Sequence, residues 1–169
     1  MDLSELLLSK FDRCKLVIQI NEDHDLFEEV MKISLTSQSP QNWRGTWVLN
    51  HATSKKDDRI NPHIDAILDL LEKAEDGHQR ELIKLVASGN YDEDQEGRIF
   101  DVSINIWEKV AKISSTRYKA IHLALDIAIK YPDLLTDLKY LAADHYLESL
   151  SLAVRKSVSK RLKLVLGDS

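Results

Sequence analysis

Asp92, Asp94 and Glu96 alternate along the stretch NYDEDQEGRIFDVS, residues 90–103, and Gly97 and Ile99 follow them. An EF-hand calcium loop begins in that order: oxygen ligands at positions 1, 3 and 5, glycine at 6, an aliphatic residue at 8. Counted from Asp92, position 12 is Ser103, so the bidentate glutamate that completes a calcium shell is missing. Ile99 also starts a helical apolar stripe with Val102, Ile106, Val110 and Ile113, which predicts a helix beginning near residue 98. Acids ahead of a helix sit at the positive end of its dipole, where each contributes ~0.3–1 kcal/mol when exposed. The stretch therefore reads as a solvated connector, and no calcium site is expected.

The remaining chemistry-bearing residues are scattered. His24, His51, His63, His78, His122 and His145 form no H-x-x-x-H, H-E-x-x-H or C-x-x-C pairing, so no metal or cofactor is expected. His122 and His145 lie beside apolar residues and read as core or boundary histidines. The single cysteine, Cys14, reads as a small buried hydrophobe in a reducing compartment. No glycine-rich phosphate cradle and no nucleophile elbow occurs, and no carboxylate pair is marked out by its setting. Nothing names a nucleophile or a base, and the expectation is a protein that is not an enzyme.

The elements that carry these residues are helical. The chain has 169 residues with only 5 glycines and 3 prolines, too few turn residues for a many-stranded sheet. Asp25 with Glu28, Ser39–Pro40, Asn61–Pro62, Asp76 with Gln79, Ser114 or Ser115, Pro132–Asp133, and Ser149 or Ser151 all read as helix starts. Ile60, Ile64, Ile67, Leu68 and Leu71 make one apolar stripe. CKLVIQI, residues 14–20, could be a strand by composition but is read as helix in this setting. The expectation is about ten helices, paired as hairpins 24–36 with 40–53, 61–74 with 77–89, 97–112 with 115–131, and 133–146 with 150–166. Residues 1–23 would form one or two N-terminal capping helices, and 1–169 a single domain.

The second helix of each hairpin has a basic residue near its start: Arg44, Arg80, Lys119 and Arg155. Even spacing of helical hairpins is the mark of an α-solenoid. The lines NWRGTWVLNHA, YKAIHLALDIA and LAVRKSVSKRLKLV resemble HEAT repeats, and the likeness runs from about residue 24 to 166. It implies an all-α, right-handed solenoid of about four HEAT-like hairpins. The order of elements is also similar to short bacterial HEAT-like proteins that sometimes carry the label adenylosuccinate lyase. The serine loop of that lyase superfamily has no counterpart, because Ser114–Ser115 continues as Thr116–Arg117.

The resemblance puts second helices on a concave face, where Arg44, Arg80, Lys119 and Arg155 would stack into a basic ridge or, alternatively, pair with neighbouring acids. Trp43 and Trp47 lie one turn apart beside Arg44, a pairing common at interface hot spots. Trp47 and Trp107 read as packing, and Trp43 as the binding candidate. The expected function is an interaction module that binds a protein or peptide. The alternative is a nucleic-acid binder related to HEAT-like DNA glycosylases, against which stands a pI near 5.7. Net charge is −5, yet residues 150–166 hold Arg155, Lys156, Lys160, Arg161 and Lys163 with no acid, so that segment is +5 and the remainder −10. A third possibility is that this helix docks on an acidic partner or on another copy. Asp2 and Glu5 flank Leu3 and Leu6–Leu8 where a secretion signal would be basic, and no apolar run approaches a membrane span, so a cytoplasmic protein is expected.

Overall fold

The computed structural model describes residues 2–37 and 40–167. These residues form α-helices, short 3₁₀ segments and connecting turns, with no strand among them. They fall into two compact units, Met1–Tyr91 and Asp92–Ser169.

The first unit holds α1 (Leu3–Leu8), α2 (Arg13–Glu22), α3 (His24–Ser34), α4 (Gln41–Ala52), a 3₁₀ segment (Asp58–His63), α5 (Ile64–Leu71) and α6 (Asp76–Ala87). Helix α4 is its centre, packed against α1, α2, α3 and α6. The α3–α4 approach depends on Gly45, where an added Cβ would lie 2.7 Å from Ser34 Oγ. The stripe of Ile60, Ile64, Ile67, Leu68 and Leu71 is fully buried, as its spacing predicts. CKLVIQI is helical, within α2. Cys14, however, is exposed. Leu16 and Ile20, one turn apart, are the buried face of α2. Cys14 precedes Leu16 by two positions and so points to another side.

Arg59 ties the 3₁₀ segment to the rest of this unit. Its guanidinium lies 4.5 Å from the centroid of the Phe27 ring and donates to Ala52 O at 3.0 Å and Asn21 Oδ1 at 3.2 Å. It also pairs with Asp57 at 2.7 Å, and this hydrogen bond holds the Asp57 carboxyl below the usual range.

The second unit holds α7 (Glu93–Glu108), α8 (Ser114–Ala128), α9 (Pro132–Leu135), a 3₁₀ segment (Asp137–Ala142), α10 (Asp144–Glu148) and α11 (Leu152–Leu166). Helices α7 and α8 form its main hairpin. Its core joins Trp107 to Ile121 and Leu125 of α8 and to Val158, Leu162 and Leu166 of α11.

Several elements differ from the sequence reading. The helix expected near 98 begins at Glu93, because Asp92 and Gln95 form a reciprocal capping box. The calcium-like positions are thus the first turns of a helix. Glu96 is buried there, with an ion pair to Lys130 and a 2.8 Å bond from the Tyr131 hydroxyl. Burial pushes the Glu96 carboxyl up, but the hydrogen bonds from Lys130 and Tyr131 outweigh it and hold the group below its ordinary value. Helix α7 ends at Glu108, so Val110 and Ile113 leave the stripe and are exposed.

The helix expected over 133–146 is broken into α9, a 3₁₀ segment and α10. Carbonyls at the break are held by side chains: Trp107 Nε1 donates to Leu141 O at 3.3 Å, and Arg117 Nη2 to Tyr146 O at 2.7 Å. The 3₁₀ geometry also sets Leu138 and Leu141 on one face, and both are buried.

Caps move as well. Asp23, not Asp25, caps α3 by accepting from Asp25 N and Leu26 N. Asn61–Pro62 lies inside the 3₁₀ segment, which Asp57 caps. Gln79 donates to Leu71 O at 2.7 Å instead of closing a capping box with Asp76. Ser114 is the first residue of α8, not its cap, and its hydroxyl accepts from Ser151 N. Ser39 lies outside the described residues, and Pro40 takes the N-cap position of α4.

Candidate functional site

The first unit has a cleft of about 610 Å³ where the first turn of α4 meets the turn from α5 into α6. Its lining includes Asn42, Trp43, Leu70, Lys73, His78 and Arg80. Two residues singled out from the sequence, Trp43 and Arg80, therefore meet in one concavity.

Each wall is fixed by local chemistry. Asn42 anchors the start of α4: its Nδ2 donates to Thr36 O at 3.2 Å, and its Oδ1 accepts from Trp43 N at 2.6 Å. The Trp43 ring is left at the rim, 38% exposed, the one tryptophan of the three with its face open to solvent to that degree. His78 sits in the wall, 5% exposed, with Nε2 3.1 Å from Thr46 Oγ1. Burial lowers the pKa of this imidazole and keeps it neutral near pH 7.

Arg80 is aimed by Glu81. Its Nε donates to Glu81 Oε1 at 3.1 Å, while Lys84 Nζ at 2.8 Å and Asn50 Nδ2 at 2.9 Å hold Oε2. The Glu81 carboxyl is buried, which pushes its pKa up, but the hydrogen bonds and charge of Lys84, with Asn50 and Arg80, outweigh this and keep it ionised. One carboxylate thereby organises two cations, one of them Arg80, which lines the cleft. Lys73 and Glu75 add one charge of each sign. An aromatic rim, the aliphatic Leu70, an amide and charges of both signs form a surface that can hold a peptide segment.

The other expected site residues do not join this cleft. Arg44 turns to the N-terminal segment, with Nη2 donating to Ser9 O at 3.0 Å and the guanidinium 5.6 Å from the Phe11 ring centroid. Lys119 and Arg155 belong to the second unit, half-buried on α8 and α11. Lys119 lies 5.5 Å from the ring centroid of Tyr118. Trp47 packs edge-on against His51 at 4.9 Å, and Trp107 is fully buried. His122 is half-buried, whereas His145 is exposed and lies against the Tyr146 ring at 3.8 Å.

Sequence reasoning missed Asn42, Lys73 and His78. The signal for Asn42 was its place at the start of α4 beside Trp43. His78 and Lys73 gave none, since each earns its place by the α5–α6 turn folding back toward α4. Among the described residues, no group of three His, Cys, Asp or Glu side chains is placed to hold a metal. No described helix is long and apolar enough to cross a membrane.

Helices that pair as hairpins along the chain, with a glycine-mediated close approach in the first unit, define an all-helical repeat protein. A family model for the HEAT repeat domain matches residues 5–164, and the chain belongs to that family. None of the curated proteins and none of the solved structures compared matches it. HEAT repeats are helical scaffolds whose stacked surfaces commonly mediate protein interactions.

Proposed function

We propose that this protein is a non-catalytic interaction module that holds a peptide segment of a partner protein in the cleft of its first unit. Trp43 is the anchor, and Arg80 with Lys73 receives an acidic side chain of the ligand. The observation that carries the reading is the convergence of Trp43 and Arg80 on one concavity with a buried, polar-bonded wall. The volume of about 610 Å³ falls in the range of ligand clefts, roughly 300–1,000 Å³. Tryptophan and arginine are the residues over-represented among binding hot spots. The mixture of both charge signs favours a peptide over a nucleic-acid backbone, which requires a uniformly basic track.

A random peptide library displayed on phage and selected against the immobilised protein tests this. Enriched sequences should pair a carboxylate with an apolar or aromatic residue. Synthetic versions should lose about thirtyfold in affinity, roughly 2 kcal/mol, on Trp43→Ala. Arg80→Glu should abolish binding of the acidic sequences. Peptides that bind both variants as they bind the wild type would remove the cleft from consideration.

A further inference from the structure

Away from the cleft, the first unit gathers cations around a second tryptophan. Helices α2 and α6 both pack against α4, and each brings a base to its Trp47–His51 pair. The Arg13 guanidinium of α2 lies 5.7 Å from the centroid of the half-buried Trp47 ring. His51, one turn on, meets the same ring edge-on at 4.9 Å. Desolvation lowers the His51 pKa first, the charges of Arg13 and of Lys84 from α6 lower it further, and Glu81 opposes them. Among the described residues Arg13 makes no ion pair; its neighbour Asp12 accepts from Lys15 N and so caps α2. Helix α4 itself holds no acid between Gln41 and Ala52. Arg13, Arg80 and Lys84 thus bring three positive charges, and the buried Glu81 carboxylate, bonded to the last two, returns one. Two charges are left without a carboxylate. The second unit shows the answered form of this arrangement. Tyr118 and His122 of α8 are again an aromatic ring and a histidine one turn apart, 4.3 Å between centroids, but the arginine that acts on His122, Arg161, is paired with Asp126.

We infer that Arg13, His51 and Lys84, grouped around Trp47, receive the phosphate of a phosphorylated side chain on a partner protein. Charge selects the group. At pH 7 a carboxylate returns one negative charge, whereas a phosphomonoester returns about 1.5 to 2 and offers three acceptor oxygens. A guanidinium takes such a group in bidentate fashion, an ammonium meets it as a point charge, and an imidazole N–H adds one donor. Exposure selects the carrier. Arg13 and His51 are exposed, so a lone phosphate ion there would keep much of its water, while one borne by a polypeptide adds the contact of its flanking residues with the Trp47 ring. A nucleic-acid backbone needs a longer basic track than these few cations supply on a chain of net charge −5. Arg13, Trp47, His51 and Lys84 are not among the residues that line the cleft at Trp43.

The probes are short fluorescein-labelled peptides with random flanks around a central phosphoserine or phosphotyrosine. The same peptides with serine or glutamate at the centre, inorganic phosphate and a short DNA duplex are measured beside them. The phosphopeptides should bind saturably and at least about tenfold tighter than the serine and glutamate forms. Arg13→Glu should abolish this binding, with its helical signal intact because the side chain is exposed. Trp43→Ala should leave it unchanged, which separates this site from the cleft. Followed by NMR, the His51 Cε1 proton should titrate at a higher pH with phosphopeptide bound, because the dianion answers the cations that lower its pKa. Equal binding of the glutamate form, insensitivity to Arg13→Glu, loss of binding in Trp43→Ala, an unmoved His51 midpoint or no saturable binding would each overturn the inference. So would inorganic phosphate or the duplex binding as tightly as the phosphopeptides, which would make the ligand a free ion or a nucleic acid.

Discussion

Arg59 and Arg80 of the first unit and Arg117 of the second are held in opposite ways. In the first unit Arg44, Arg59 and Arg80 are half-buried. Arg59 and Arg80 are held by carboxylates, Asp57 and Glu81. In the second unit Arg117 is fully buried and meets no carboxylate. It donates to Trp107 O at 2.8 Å, Ser149 Oγ at 2.6 Å and Tyr146 O at 2.7 Å, and stacks on the Trp107 ring at 4.5 Å. Desolvation lowers its pKa. The difference is one of task. An arginine steadied by a carboxylate at the surface still presents a binding group. One enclosed by carbonyls closes gaps in the backbone where α7 ends and where the 133–146 segment breaks.

The sharpest test of that contrast is Arg117→Leu. It leaves the carbonyls of Trp107 and Tyr146 without their donor and should cost about 3–5 kcal/mol by urea unfolding. Arg44→Leu, which loses one hydrogen bond to a carbonyl, should cost under about 1.5 kcal/mol. Similar costs for the two would erase the distinction drawn here.

Packing gives the next effect. Gly45→Ala places a methyl 2.7 Å from Ser34 Oγ, so α3 and α4 must move apart or Ser34 must turn, at about 1–3 kcal/mol. Removing the hydroxyl as well, in Gly45→Ala/Ser34→Ala, should recover part of that loss. A double variant no better than the sum of the two singles would place the strain elsewhere.

A smaller effect is set by pH. The His78 pKa is lowered by burial, so the unfolded chain binds a proton at a pH where the folded wall of the cleft does not. Stability from His78 is therefore full above its unfolded value of about 6.5 and is lost as pH falls below that toward the folded value. Urea midpoints at pH 7 and pH 5 should differ less in His78→Gln than in the wild type. His51 and His122 are also lowered by burial and leave a residual dependence of the same sign. An unchanged difference in the variant would mean that His78 titrates as if in water.

The smallest expected effect on folding is Trp43→Ala. Its ring is partly exposed at the rim, so the cost should stay within about 1 kcal/mol, against roughly 3–5 kcal/mol for Trp107→Ala. A large loss of stability in Trp43→Ala would make that ring part of the core and weaken the case for the cleft.

Much of the architecture is readable from residue spacing. Ile60, Ile64, Ile67, Leu68 and Leu71 recur at helical intervals, and burial of such a stripe is the main force that keeps a helix folded. The hairpin pairings follow because short connections return adjacent helices to each other. Helix ends were less legible. Several acids or hydroxyls near each start could cap it, and the choice between Asp23 and Asp25, or the start at Glu93, depends on which backbone amide a side chain reaches. The basic row shows the same limit. Arg44, Arg80, Lys119 and Arg155 look equivalent along the chain, yet Arg44 turns to the distant Ser9 O, whereas Arg80 pairs with the adjacent Glu81, whose carboxylate is itself held by Asn50 and Lys84.

The sequence by itself determined that the chain is all-helical, where most apolar stripes lie and that the last helix is basic, since these depend on residue types at local intervals. Only the tertiary structure decided that Trp43, His78 and Arg80 share a cleft, that Glu96 is a buried partner of Lys130 and Tyr131, and that the 133–146 segment breaks around donors from Trp107 and Arg117. Those outcomes rest on polar groups that must find partners once buried, and the partners lie tens of residues away.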